Sequence, residues 1–309
     1  MQSKSIKSVS VRTNRALDIV ATVVKRCGLS NNQKQNNMDD RNIIGGDRHN
    51  SSYQSLFDGI VLGRMETYDA SKLNCWAFHK STDVRDGIPL RLGNLCGGYS
   101  FPFCGHIFPT SESAYLCGEF SLNTPTHAEI QQALLEEKNG FVSKKFIKNK
   151  YKEYIREDWE TIRLQWMLYV VWHKCIGNAD FRDLLLSLPK DAVIIENSNK
   201  VRGRVNGSNL DMVWGAKNDE LKEFENQLRF QEKHAPFLKP EYLEELEKER
   251  ANIYYVGCFE GQNNMGKVLK LCQIALLNKV VPPIDYDLLR EKQIYLFGEL
   301  LTFDKEEVL

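Results

Sequence analysis

The stretch that decides the fold is DWETIRLQWMLYVVWHKCI, Asp158–Ile176. Trp159, Ile162, Trp166, Tyr169 and Val170 recur at three- and four-residue spacing, the period of an α-helix. Asp158 stands where it caps the first turn. Apolar residues cover most faces, and a helix of that kind is buried, so this segment is expected to be the central helix of its domain. The longest apolar run in the chain, MLYVVW, belongs to this helix and falls far short of the ~20 residues that a membrane span needs.

Working outward, NADFRDLLLSLP reads as the next helix, with Asn178 as cap and Pro189 as stop. DAVIIENS follows as a buried strand, because Val193, Ile194 and Ile195 form a β-branched run. Residues 216–253 are charge-rich, split near Pro236 and Pro240, and are expected to form a helical insertion with a solvated outer face. Residues 286–309 are expected to be one more docked helix. On the N-terminal side, apolar runs broken by Gly and Pro between Asn74 and Phe108 read as brief strands and turns. PTHAEIQQALLEEKNG is a helix that stops on Asn139-Gly140. FVSKKFIKNKYKEYIREDW continues as helix, with six Lys/Arg and one acid between Lys144 and Arg156. That run is either a solvated helix face or a phosphate-facing surface. Residues 1–50 are expected to be a flexible arm in which Ala16–Lys25 either frays or docks a protein partner. Residues 51–285 are expected to form one domain.

Composition excludes several classes. The 309 residues carry 41 basic and 41 acidic side chains, which argues against a nucleic-acid coat protein but not against a local basic face. Eight scattered cysteines without a CxxC pair read as free thiols in a reducing compartment, hence a cytoplasmic protein. Cys96, Cys104 and His106 match no zinc spacing, and no metal or other cofactor is expected. GxGxxG, P-loop and HExxH motifs are absent, as is any internal repeat.

Three short motifs carry chemistry. In FPTSESAYLCGEF, Thr110 or Ser111 caps a helix whose one face presents Glu112, Tyr115 and Glu119. Either the two glutamates form a site, or Glu112 completes the cap and Glu119 is solvated. In DMVWG, Asp211 precedes Trp214 and Gly215, which suits a stacking platform with close backbone approach, or equally a core Trp beside a turn. In GQNNMGK, glycines flank Asn263 at a helix start, where backbone N–H groups face an anion. Acids, a platform and an anion-friendly helix start together fit hydrolysis at the anomeric carbon of a nucleotide sugar, whose oxocarbenium-like transition state carboxylates stabilise.

At these residues the sequence resembles the NADAR family, with its YbiA-like N-glycosidases of riboflavin-pathway intermediates. RLGNL, FPTSESAY, REDW, LLLSLPKDAVIIE, DMVWG and GQNNMG stand in the family's order between about Trp76 and Leu277. The resemblance implies a mostly helical α+β domain that cleaves an N-glycosidic bond, in a riboflavin-pathway compound or in ADP-ribose linked to guanine in nucleic acid. It implies a site of Glu112, Glu119 and Asp211 as catalytic groups. Asn94, Tyr115, Arg156, Trp159, Trp214, Gly215 and Asn263 would bind substrate, with Glu196 in close support. The Lys144–Arg156 stretch would face nucleic acid. Two positions depart from the pattern. Glu119 replaces a family lysine thought to act through a Schiff base, which a carboxylate cannot form. Gln273 replaces a terminal arginine. The expectation is therefore an N-glycosidase using Glu119 as base or nucleophile, a non-catalytic sensor of NAD or ADP-ribose, or an interaction protein in which the motifs only pack.

Overall fold

A computed structural model describes residues 53–199, 211–234 and 240–303. The expected N-terminal arm, its Ala16–Lys25 helix, part of the loop before Asp211 and the acidic end lie outside the described residues. The fold is α+β and mostly helical, with short strands. The described residues fall into two compact units: 69–72 with 218–259, and the remainder.

The larger unit is built around the central helix, Trp159–Gly177, on which Ile162, Trp166 and Val170 are fully buried. Asp158 holds the N-cap position, but the expected cap is corrected. Its carboxylate takes hydrogen bonds from the Arg156 guanidinium at 2.6 and 3.1 Å, so it has no free oxygen aimed at the first turn. The Thr161 hydroxyl donates to the Asp158 carbonyl instead, at 2.7 Å.

The Ser111–Glu119 helix, the Phe101–Phe103 strand and the Asn264–Asn278 helix pack most extensively on this helix. Gly118 permits the first contact, because a Cβ there would collide with the Trp166 indole. Trp166 Nε1 donates to the Tyr115 carbonyl at 3.1 Å and so satisfies its one polar atom. Phe103 meets Trp166 and Tyr169 edge-on, with centroids 5.6 Å away in each case.

The Cys75–Phe78 and Val193–Glu196 strands pair in parallel, Cys75 opposite Val193 and Phe78 opposite Glu196. A parallel pair needs a long crossover, and the chain between these strands supplies the whole central helix. The Asn264–Asn278 helix packs on the Val193–Glu196 strand. Ala216 and Lys217 pair antiparallel with Gly261 and Glu260.

Two further expectations are corrected. The basic stretch is not one helix: Gly140–Val142 and Lys148–Lys150 flank a π turn at Ser143–Ile147, and a 3₁₀ turn, Lys152–Tyr154, follows. The C-terminal segment is a short helix, Tyr286–Glu291, and then a hairpin pairing Tyr295 with Leu300 and Leu296 with Glu299. Phe297 and Gly298, both at positive φ, make the tight reversal that a continuous helix would forbid.

The smaller unit holds the helices expected of an insertion, Asp219–His234 and Pro240–Ala251. Leu221, Leu228 and Leu246 are buried, and Arg250 ties the two helices through Glu232 at 2.8 Å. Among the described residues, no helix is long and apolar enough to cross a membrane, and the seven described cysteines are free thiols.

Candidate functional site

The Ser111–Glu119 helix is capped by Thr110, whose hydroxyl oxygen accepts from the Ser113 amide at 3.1 Å. That cap leaves the Glu112 side chain free for other work, although Glu112 is only 4% exposed. The Glu112 amide donates to the Asn94 carbonyl at 3.2 Å, which ties this turn to the RLGNL loop. Between them lies a cavity of about 340 Å³, whose walls include Asn94, Glu112, Tyr115, Lys144, Glu196 and Trp214. The Tyr115 ring meets Trp214 nearly perpendicularly at 5.4 Å and Trp159 at 5.2 Å. Trp159 thus supports the wall from behind Tyr115 and is not itself among the lining residues.

Three lining groups, Glu112, Lys144 and Glu196, interact electrostatically in this cavity. Lys144 Nζ lies 3.5 Å from Glu112 Oε1. The Glu112 charge holds the Lys144 ammonium above its ordinary pKa, so it is a lasting cation. Glu196 ends the parallel strand. Burial, helped by the Glu112 charge and opposed by Lys144, pushes its carboxyl up to about 7. A half-protonated acid at neutral pH beside a second carboxylate and a cation is what proton transfer requires.

Asn263 and Gly215 form the frame of this wall. Asn263, at φ 49°, accepts from the Glu196 amide at 3.1 Å and donates to the Ile194 carbonyl at 2.8 Å. It therefore clasps the strand that carries Glu196. A Cβ on Gly215 would collide with Ser198 Oγ and the Glu196 carbonyl, so only glycine lets the chain pass there. The helix start at Asn264 bonds inward: Asn264 Oδ1 accepts from the Gly63 amide at 2.7 Å, and Lys267 Nζ donates to the Val61 and Arg64 carbonyls at 2.8 Å.

Not every expected residue reaches the cavity. Glu119 lies two helical turns beyond Glu112, about 10 Å along the axis. Its Oε1 accepts from Lys148 Nζ at 2.6 Å, its Oε2 has no partner among the described residues, and it is absent from the cavity lining. Arg156 is buried as a clamp, bonded to Asp158, to the Ser121 hydroxyl at 2.9 Å and to the Lys292 carbonyl at 2.7 Å. Asp211 opens the short Asp211–Trp214 helix, and its side chain lies outside the described residues. Lys144 is a lining residue that spacing could not single out. It read only as one member of a basic run, and its contact with Glu112 depends on how a distant π turn folds back.

No family model matches the chain, and no curated protein matches it. Among solved structures, it is similar to the NMR structure of the E. coli protein YbiA, with 21% identity, a TM-score of 0.33, and coverage of 41% of this chain and 68% of that one.

Proposed function

We propose that the cavity binds a nucleotide sugar and that the protein hydrolyses its N-glycosidic bond, with ADP-ribose linked to guanine as the leading substrate and a riboflavin-pathway compound as the related one. The observation that carries this reading is the meeting of Glu112, Glu196, Lys144 and Trp214 in one cavity. In the proposed step the C–N bond at the anomeric carbon breaks and the protonated Glu196 carboxyl gives its proton to the departing base. The Glu112 carboxylate stabilises the oxocarbenium-like centre and accepts a proton from the water that adds there. Lys144 serves as a charge and not as a nucleophile, because a lysine held above its ordinary pKa carries little free amine. Trp214 offers its ring to the base. The exposed Lys145, Lys150 and Lys152 face the backbone when the substrate is a modified nucleic acid.

The position of Glu119 favours a second reading, a sensor that binds ADP-ribose without turnover. Where the resembling family has its lysine, this chain has a carboxylate already engaged by Lys148. Incubation with ADP-ribosylated guanine DNA separates the two: release of free ADP-ribose supports hydrolysis, and binding without release supports the sensor.

A further inference from the structure

Behind the Asn94 wall lies Lys174, whose buried ammonium none of the steps above uses. It is 1% exposed, and among the described residues no carboxylate lies within ion-pair distance. Its Nζ sits 3.9 Å from the centre of the Phe181 ring and 5.4 Å from that of Tyr99. Its hydrogen bond runs to Ser111 Oγ, at 3.3 Å. Ser111 Oγ in turn is 2.9 Å from Asn94 Oδ1, and Asn94 Nδ2 points at Met167 Sδ, at 3.0 Å, in the cavity wall.

The direction of this chain follows from donor counting. An ammonium only donates, so Ser111 Oγ must accept from Lys174. The one hydroxyl hydrogen of Ser111 then goes to Asn94 Oδ1 at 2.9 Å in preference to the Asn94 backbone carbonyl at 3.4 Å, which fixes the amide oxygen inward. The amide nitrogen faces the cavity, and a thioether is too weak an acceptor to occupy both its hydrogens. We infer that Lys174 is a positioning residue which, through Ser111, turns Asn94 into a fixed hydrogen-bond donor and so makes this wall select a ligand bearing an anionic or strongly accepting oxygen. The inference rests on the reading of the cavity as a ligand site. The other titratable groups facing Lys174 are Cys96, Cys175 and Arg91, together with the Tyr99 ring. Burial among them lowers its pKa to about 8. Above that pH a neutral amine can also accept, and the direction of the chain is released.

The test reads Asn94 directly. Its side-chain NH₂ resonances, assigned by their loss in Asn94→Asp, are followed from pH 6.5 to 9.5, a window of about 1.5 units on either side of the midpoint. In the wild type they should move with a midpoint near 8; in Ser111→Ala and Lys174→Met that step should vanish. The same variants should bind ADP-ribose about tenfold more weakly in calorimetry at pH 7, the cost of one misdirected hydrogen bond. Lys174→Arg should stay within about threefold of wild type, because it keeps an obligate donor. Asn94 resonances that ignore pH in the wild type, or are unchanged in folded Ser111→Ala, would overturn the assignment. If the wild type binds no ADP-ribose, the nucleotide reading fails, and the resonances alone decide the role of Lys174.

Discussion

The Lys144 ammonium and the Glu112 carboxylate stand 3.5 Å apart across the cavity wall, one on a π turn and the other in the first turn of a capped helix. Four residues further along the basic stretch, Lys148 meets Glu119 at 2.6 Å. Two acids on one helix are thus answered by two lysines from one neighbouring segment. The first pair lines the cavity and the second does not. The proposed chemistry is therefore assigned to the first pair and not to the second.

Glu112→Gln removes the carboxylate and keeps its shape. Release of ADP-ribose should fall by about 10²–10⁴, the range for a group acting in proton transfer. Lys144→Met should also lower release, and because it leaves the buried Glu112 carboxylate without its cation it should lower the melting temperature as well. Initial rates and melting curves on the same preparations check both.

The Glu196 carboxyl, pushed up to about 7, gives a pH signature of its own. As the proposed acid it must be protonated, so release should decline as pH rises through 7. The same shift acts on stability. The native state holds this proton more tightly than the unfolded chain, so stability is full below the unfolded value near 4.5 and is lost as pH rises toward and through 7. Glu196→Gln, which cannot ionise, should therefore gain on wild type in urea unfolding by about 1–3 kcal/mol between pH 5 and pH 8.

At the second pair, Lys148→Met leaves a buried carboxylate without its cation and should destabilise by about 3–5 kcal/mol, while the doubly apolar Glu119→Leu/Lys148→Met should recover most of that loss. Glu119→Lys restores the lysine of the resembling family, but it sets a second ammonium against Lys148 in a buried place. It should lose stability alone and regain it with Lys148→Glu. Chemical denaturation of the set measures this, and release should not rise in Glu119→Lys, because position 119 does not open on the cavity.

Among the described residues, Trp214 is the one indole of the cavity wall. Trp214→Ala should weaken ADP-ribose binding about 10–100-fold, the ~1–3 kcal/mol of a base–aromatic stack. Gly118→Ala should instead cost about 1–3 kcal/mol of stability with no change in affinity per folded molecule, since its Cβ would press on Trp166.

Much of the frame was legible because it is periodic or local. The central helix announced itself through Trp159, Ile162 and Trp166, a buried strand through Val193–Ile195, and the cap of the Glu112 helix as Thr110 or Ser111, of which Thr110 serves. The family resemblance singled out Glu112 and Trp214, and both line the cavity. What spacing could not carry was long-range. Asp158 looked like a cap until Arg156 claimed its carboxylate, and Glu119 looked equivalent to Glu112 because helical phase ignores distance along the axis. Lys144 and Lys174 were lysines in a run and in a helix. Their roles come from what other segments bring against them.

The most direct test of the central claim is release of free ADP-ribose from ADP-ribosylated guanine DNA by the wild-type protein, beside Glu112→Gln. The cavity reading predicts release that depends on Glu112 and falls as pH rises through 7. No release by the wild type, from this substrate or from riboflavin-pathway N-glycosides, would contradict hydrolysis at this site.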